Sequence, residues 1–259
     1  MKYCLSGRQS TMNLKKADEV RMIYNDINKI MDFIEDLPDK TIILEIPKDE
    51  IPDWDLMTMY SEKLNNFILA IQNLDLAYLC AEKGIQFYWY YPITTYYELD
   101  AIIKLNPSYI FLGAPLCFCL DEVKRKTSIP IRLVANVADE GYIPRENGIC
   151  GPWIRPEDIP AYETYVDTIE FQGVDLQAER ALLHVYKDNG NWPGNLNLLL
   201  KNLRYDVDNR GFKEDFGSRR CVCKQRCMST GTCKLCEREF HMLNYVKQHR
   251  EELKEKYLN

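Results

Sequence analysis

Five of the ten cysteines fall between Cys221 and Cys236, in the run CVCKQRCMSTGTCKLC. Their spacing is C-x-C-x3-C-x5-C-x2-C. Thiolates this close in sequence are paired, reactive, or sharing a cation. A shared cation offsets their charge and orders a loop that has almost no apolar residues of its own. Zinc would draw four ligands from Cys221, Cys223, Cys227, Cys233, Cys236 and His241. A 4Fe–4S cluster would take four of the cysteines and leave one spare. The ligand count leaves both metals open. Cys150, in Gly148-Ile149-Cys150-Gly151, is one more donor that could join. The plainer alternative is a set of unligated thiols. Cys4, Cys80, Cys117 and Cys119 sit in apolar or amphipathic stretches and read as small buried hydrophobes.

A second group of reactive side chains falls at the ends of predicted strands. Glu45 closes the apolar run TIILE, where burial would suit a carboxyl to general acid or base work. Tyr90, Tyr91, Asn136, Glu170 and Gln172 occupy similar places. The segment between the fifth and seventh predicted strands adds Arg145, Glu146, Arg155, Glu157 and Asp158. Arg155 could grip a carboxylate or phosphate with a bidentate fork. Against that, the acids of Arg-Pro-Glu-Asp suit a helix N-terminus without any ligand. Tyr88, Trp89, Tyr90, Tyr91, Tyr96 and Tyr97 could stack a planar group, although alternation of core and surface aromatics accounts for them equally well. The three histidines, His184, His241 and His249, all fall on predicted helices, and neither G-x-S-x-G nor H-E-x-x-H occurs.

These residues need elements to position them. The predicted strands are Lys2 to Leu5, Thr41 to Pro47, Ile85 to Tyr91, Ser108 to Gly113, Pro130 to Asn136, a short Gly148 to Trp153, and Thr168 to Gly173. Helical spacing covers Asn13 to Leu37, Leu56 to Gly84, Thr95 to Leu105, Pro115 to Lys126, Arg155 to Tyr165, Leu176 to Lys187 and Leu196 to Leu203. Strands alternating with helices imply parallel pairing and right-handed crossovers. Six or seven such units fit an α/β fold of the parallel β/α (TIM-type) barrel kind, complete or missing a strand. An open doubly wound sheet is the rival, weakened by the absence of G-x-G-x-x-G after any strand. The barrel is expected over residues 1–204. The polar run from Tyr205 to Arg220 reads as a linker or surface loop. Residues 205–259 therefore form a linker, a cysteine-rich metal-binding module and a charged terminal helix.

The chain has 259 residues, 46% of them hydrophobic, with a formal net charge of -6. An acidic balance argues against a broad nucleic-acid footprint or an anionic-membrane footprint. No apolar run approaches the roughly 20 residues of a membrane span, and Met1 to Lys15 has no signal pattern. The expectation is a cytoplasmic protein with no membrane partner, its cysteines thiols or ligands rather than disulfides.

Three segments resemble one family, peptidase family U32, the collagenase-like barrel proteins. The first is SYIFLGAPLCFCLDEVKRKTSIPIRLVANVA, residues 108–138, a strand–helix–strand unit ending near an Asn. The second is GPWIRPEDIPAYETYVDTIEFQG, residues 151–173. The third is the cysteine module, after a GNLxxLL-like stretch carrying Gly194, Asn195, Leu196, Leu198 and Leu199. The resemblance implies an α/β barrel with an iron–sulfur (4Fe–4S) cluster, and an enzyme of the oxygen-independent hydroxylation type acting on RNA bases or quinone precursors. A collagenase-like peptidase is the alternative it also implies. On that reading Glu45, Asn136, Arg155 and Glu170 are the catalytic candidates, and Cys221, Cys223, Cys227, Cys233 and Cys236 hold the cluster, with zinc as the alternative metal. A third reading needs no catalysis. In it, a barrel scaffold with a zinc-clamped tail binds a protein or nucleic acid through Arg219, Arg220, Lys224, Arg226 and Lys234. The substrate class stays open among a small molecule, an RNA and a peptide.

Overall fold

The computed structural model describes residues 1–6, 16–24, 37, 39–64, 66–137, 153–172, 182–200 and 207–224. Eight parallel strands close into a barrel: β1 (Lys2–Ser6), β2 (Glu19–Ile23), β3 (Thr41–Glu45), β4 (Phe67–Ile71), β5 (Phe87–Ile93), β6 (Tyr109–Leu112), β7 (Ile131–Val134) and β8 (Thr168–Phe171). Each pairs with its neighbour in sequence, and β1 closes the ring on β8 with Tyr3 opposite Ile169. The barrel is complete, not missing a strand.

Strand alternation sorts the side chains into two layers. Cys4, Ile43, Ile68, Ala70, Tyr88, Phe111 and Val134 fill the inside. The residues between them, such as Leu5, Leu44, Leu69, Phe87, Leu112 and Phe171, point outward into the shell packed around the barrel. Helices α1 (Trp54–Lys63), α2 (Leu74–Lys83), α3 (Tyr96–Ile102), α4 (Leu120–Lys126) and α5 (Ile159–Tyr162) contribute to that shell. The Asp53 and Asn73 side chains cap α1 and α2. Gly84 ends α2 with φ of 69°, a left-handed turn that costs glycine little.

Two expected helices contain strands. Asn13 to Leu37 was expected to be one helix, but it holds β2. Its apolar residues Val20 and Met22 face the shell, whereas the charged Glu19 and Arg21 face inside the barrel and are buried. The usual polar-outside pattern is inverted there, and the apolar spacing that remains mimics a helix. Leu56 to Gly84 contains α1, β4 and α2. β4 is an unbroken apolar FILAI, buried throughout, and such a run has no period that separates strand from helix. Of the expected strand Gly148 to Trp153, only Trp153 is described. It lies outside the strands, and Ile154 N–H donates to Ala135 O just past β7.

The linker expected after Tyr205 is also corrected, as far as Lys224. Val207, Phe212, Phe216 and Cys221 belong to the main core. Helix α6 (Phe216–Arg220) stacks Phe216 on Trp153 at 5.9 Å. Arg220 is fully buried, 4.2 Å over the Trp153 ring, with Nη1 donating to Trp153 O. Among the described residues no helix is long and apolar enough to cross a membrane.

Candidate active site at the barrel mouth

Inside the barrel the inverted patterning of β2 produces a ladder of alternating charges. Lys2 Nζ lies 3.2 Å from Glu19 Oε1, and Tyr109 OH donates to the same oxygen at 3.2 Å. Glu19 Oε2 accepts from Arg132 Nη2. Arg132 Nη1 lies 3.9 Å from Glu170 Oε2. Arg21 Nε lies 2.9 Å from Glu170 Oε1, and Arg21 Nη1 donates to Glu45 Oε2. Three cations thus alternate with three carboxylates. They run from Lys2, the first residue of β1, to Glu45, the last residue of β3.

Access varies along the ladder, and Lys2 at its start is 51% exposed. Arg132, Glu19 and Glu170 are at most 1% exposed, Arg21 is 8% exposed and Glu45 is 15% exposed. Burial works against the charge on Arg21, but Glu170, Tyr90 and Glu45 outweigh it and hold the guanidinium protonated. Tyr90 lies under Arg21, whose Cζ is 4.6 Å from the ring centroid, and stacks on Phe111 at 6.1 Å. Burial, with the Glu170 charge, pushes the Tyr90 phenol well above its usual range, so its hydroxyl is a hydrogen-bonding group rather than a base. Gln172, just past β8, donates from Nε2 to Tyr90 OH at 3.1 Å. Deeper in the barrel, burial likewise raises the phenol of the fully buried Tyr88.

Glu45 and Glu170, two of the sequence-derived candidates, therefore meet around one guanidinium at the C-terminal end of the strands. In barrels of this kind that end carries the chemistry. Asn136 reaches the same end in a different role. Its Nδ2 donates to Gln172 O and its Oδ1 accepts from Gln172 N–H, both at 2.9 Å. The amide is used up clasping the end of β7 to the end of β8.

Arg155 is also committed within the chain. Nε and Nη2 form a fork on Asp158 at 2.8 and 2.6 Å. Its other donors reach Asn209 Oδ1 and Lys213 O, and the guanidinium lies about 5 Å over the Phe212 ring. Glu157 accepts from Trp192 N–H and Asn209 Nδ2. The carboxylate expected for Arg155 is thus the chain's own Asp158, and the pair fastens the 207–224 segment to the barrel. An open cleft of about 300 Å³ lies beside it, lined by Glu157, Trp192, Arg210 and Lys213 among others.

The aromatic group does not form one platform. Tyr88 and Tyr90 point into the barrel, Trp89 is in the shell, and Tyr91 and Tyr97 are exposed. Tyr96 OH donates to Glu122. Of the metal candidates, Cys221 is buried with its thiol toward Ser218 O at 3.5 Å, and Cys223 is half-buried. Burial pushes the Cys221 thiol up to about 11. Cys227, Cys233, Cys236, Cys150 and His241 lie outside the described residues, as do Arg145, Glu146 and His249. Among the described residues no three His, Cys, Asp or Glu side chains gather as an ion site. Cys4, Cys80, Cys117 and Cys119 are buried.

Sequence reasoning missed Arg21, Arg132, Glu19 and Lys2. For Glu19 and Arg21 the signal was present in E-V-R-M-I, where charged and apolar residues alternate with the period of a strand.

No family model matches this chain, and no curated protein matches it. Among solved structures it is similar to a FabK mutant from Thermotoga maritima, at 12% identity and a TM-score of 0.37, over 65% of this chain and 59% of that one. It is also similar to thiamine phosphate pyrophosphorylase from Pyrococcus furiosus, at 12% identity and a TM-score of 0.34, over 72% of this chain and 95% of that one.

Proposed function

We propose that this chain is a barrel enzyme of the U32-like type. Its reaction takes place at the C-terminal mouth, and the cysteines of its tail hold a metal centre, iron–sulfur in preference to zinc. The observation that carries the catalytic part is the Glu45–Arg21–Glu170 triplet. A guanidinium held by a buried carboxylate on one side presents a second, partly exposed carboxylate at the mouth. Glu45 Oε2 accepts from Arg21 Nη1 and its carboxylate reaches the mouth, where it is placed to take a proton from a substrate. Arg21 then stabilises negative charge that develops beside it, and Gln172 and Tyr90 offer hydrogen bonds to a polar substrate group. Glu170 and Asn136 act by positioning, the first through Arg21 and the second through Gln172.

The donor chemistry of the tail fits such a centre. Thiols are the ligands of iron–sulfur and structural zinc sites, and the described part of the tail brings the half-exposed Cys223 against the barrel. Bound there, an iron–sulfur centre would supply one-electron transfer chemistry. The collagenase-like reading gains nothing from His184, which pairs with Asp188 at the surface. The tail as a nucleic-acid grip is weakened too, because Arg220 is buried and Lys224 is tied to Glu122.

Anaerobic purification with iron, sulfide and zinc analysis tests the metal part. A brown protein carrying iron and sulfide is expected. Stoichiometric zinc with no iron would overturn the hydroxylation-type reading, and no metal at all would overturn the metal centre altogether.

A further inference from the structure

The charge ladder inside the barrel leaves polar atoms unmatched. Five buried side-chain atoms there have no hydrogen-bond partner among the described residues: Tyr88 OH, Arg132 Nε and Nη1, Thr168 Oγ1 and Glu170 Oε2. Their four residues are at most 1% exposed. They also lie close together. Thr168 stands opposite Arg132 in the β7–β8 register, and Glu170 follows it on the same face of β8. Arg132 Nη1 lies 3.9 Å from Glu170 Oε2, and Arg132 Cζ lies 4.8 Å from the centre of the Tyr88 ring. Burial dominates the surroundings of the Tyr88 hydroxyl, followed by the charges of Glu170 and Arg132.

A buried donor or acceptor left unpaired is costly, and an ionised one more so. The plainest remedy is a direct bond between Arg132 and Glu170, which needs about 1 Å of movement to close the 3.9 Å gap. Both side chains are held against that movement. Arg132 is drawn the other way by Glu19, and its guanidinium packs on the rings of Tyr88 and Tyr109. Glu170 is drawn by Arg21, whose Nε lies 2.9 Å from Oε1. A pair fixed at this separation suits a bridged contact, because two hydrogen bonds of about 2.8 Å meeting at one oxygen span it. The guanidinium and the carboxylate also cancel in charge. The bridging group is therefore uncharged, donates to Glu170 and accepts from Arg132, and water is the smallest molecule that does both.

We propose that the barrel interior is a built site for ordered water, in which one molecule bridges Arg132 Nη1 and Glu170 Oε2 and takes the Tyr88 hydroxyl as its third partner. Buried waters typically make about three hydrogen bonds. Thr168 Oγ1 and Arg132 Nε extend the polar lining on the β7–β8 side. The water steadies one oxygen of Glu170 while Arg21 holds the other, and so it positions the Arg21–Glu45 pair at the mouth. The site stands on the geometry of the ladder, whatever reaction the mouth performs.

A crystal structure of the full chain, at a resolution that shows ordered water, tests this directly. A water peak is expected within about 3.2 Å of both Arg132 Nη1 and Glu170 Oε2. Thermal unfolding of Tyr88→Phe gives a second readout, because the two alternatives differ in sign. With water on the hydroxyl, the substitution removes a hydrogen bond, and Tm should fall by about 2–4 °C, the shift one such bond carries in a chain of this size. With no partner on the hydroxyl, its deletion relieves a cost, and Tm should rise. Tyr186→Phe is the reference for a bonded buried phenol, since the Tyr186 hydroxyl donates to Ile154 O at 2.6 Å, and its Tm should fall as well. A direct Arg132–Glu170 bond with no water peak, or a Tyr88→Phe variant at least as stable as the wild type, would overturn the proposal. The wild-type crystal decides the matter even where the variant fails to fold.

Discussion

Arg132 and Glu45 occupy the same ladder of charges, yet physics assigns them different tasks. Arg132 is fully buried between Glu19 and Glu170, 4.2 Å over the ring of Tyr109. Replacing it with Met leaves two carboxylates in the barrel short of their cation, which costs roughly 3–5 kcal/mol. Urea unfolding of Arg132→Met should show a loss of that size with an unchanged m-value. Glu45 faces the mouth, and Arg21 keeps Glu170 when Glu45 is removed. Glu45→Gln should cost only about 1–2 kcal/mol in the same assay, yet it should abolish turnover in the first assay that detects any. A loss above 4 kcal/mol from Glu45→Gln would make that residue part of the scaffold. Glu45 and Glu170 were legible in the sequence because each interrupts an apolar run. Their shared partner Arg21 was not, because a cation facing inward looks like the wet side of a helix.

Among the elements, α6 and α3 show how closely the shell is fitted. A Cβ added at Gly217 would lie 2.5 Å from Asp158 Cβ, on the carboxylate that holds Arg155. Alanine favours a free helix over glycine by about 1 kcal/mol, but overpacking costs about 1–3 kcal/mol, and here the displaced group also anchors a buried guanidinium. Gly217→Ala should therefore lower thermal stability, whereas helix propensity alone predicts the reverse.

Helix α3 begins with a capping box in which Thr95 and Glu98 exchange hydrogen bonds. Partial burial pushes the Glu98 carboxyl up, but donors from Thr94 and Thr95 outweigh it, and the net value falls below the usual 4.5. A carboxyl depressed on folding stabilises the native state above its unfolded value and loses that contribution as pH falls through the lower folded one. Glu98→Gln should cost about 0.5–1 kcal/mol at pH 7. The variant and the wild type should converge as pH falls below 4.5 and through that lowered folded value. A constant gap across that range would place the effect outside this titration.

At this scale the sequence was readable wherever an element carried its own punctuation. Pro130 ahead of β7 and the Thr95–Glu98 signature are such marks. β2 and β4 were obscured, the first because its charges point inward and the second because it is apolar on both faces. The tail is a similar case. The composition of residues 207–224 is polar, but a few large side chains, Phe212, Phe216 and the stacked Arg220, carry its attachment, and no average over a window reports them.

For the molecule as a whole, alternation of strand and helix implied a parallel barrel, and the closed ring of eight strands bears that out. Its exact strand count was beyond reach, since closure is a property of the ring and not of any segment. The ring has a further cost. β1 takes one of its two partners from β2, the next strand in sequence, but the other from β8, with Lys2 opposite Thr168. At roughly 5–20 residues per second on the ribosome, the first strand is made about ten to thirty seconds before its second neighbour exists. Throughout that interval a nascent chain carries an unsealed sheet edge, Tyr-Cys-Leu included, open to any other growing copy. Slowing synthesis should raise the fraction of chains that reach the insoluble pellet.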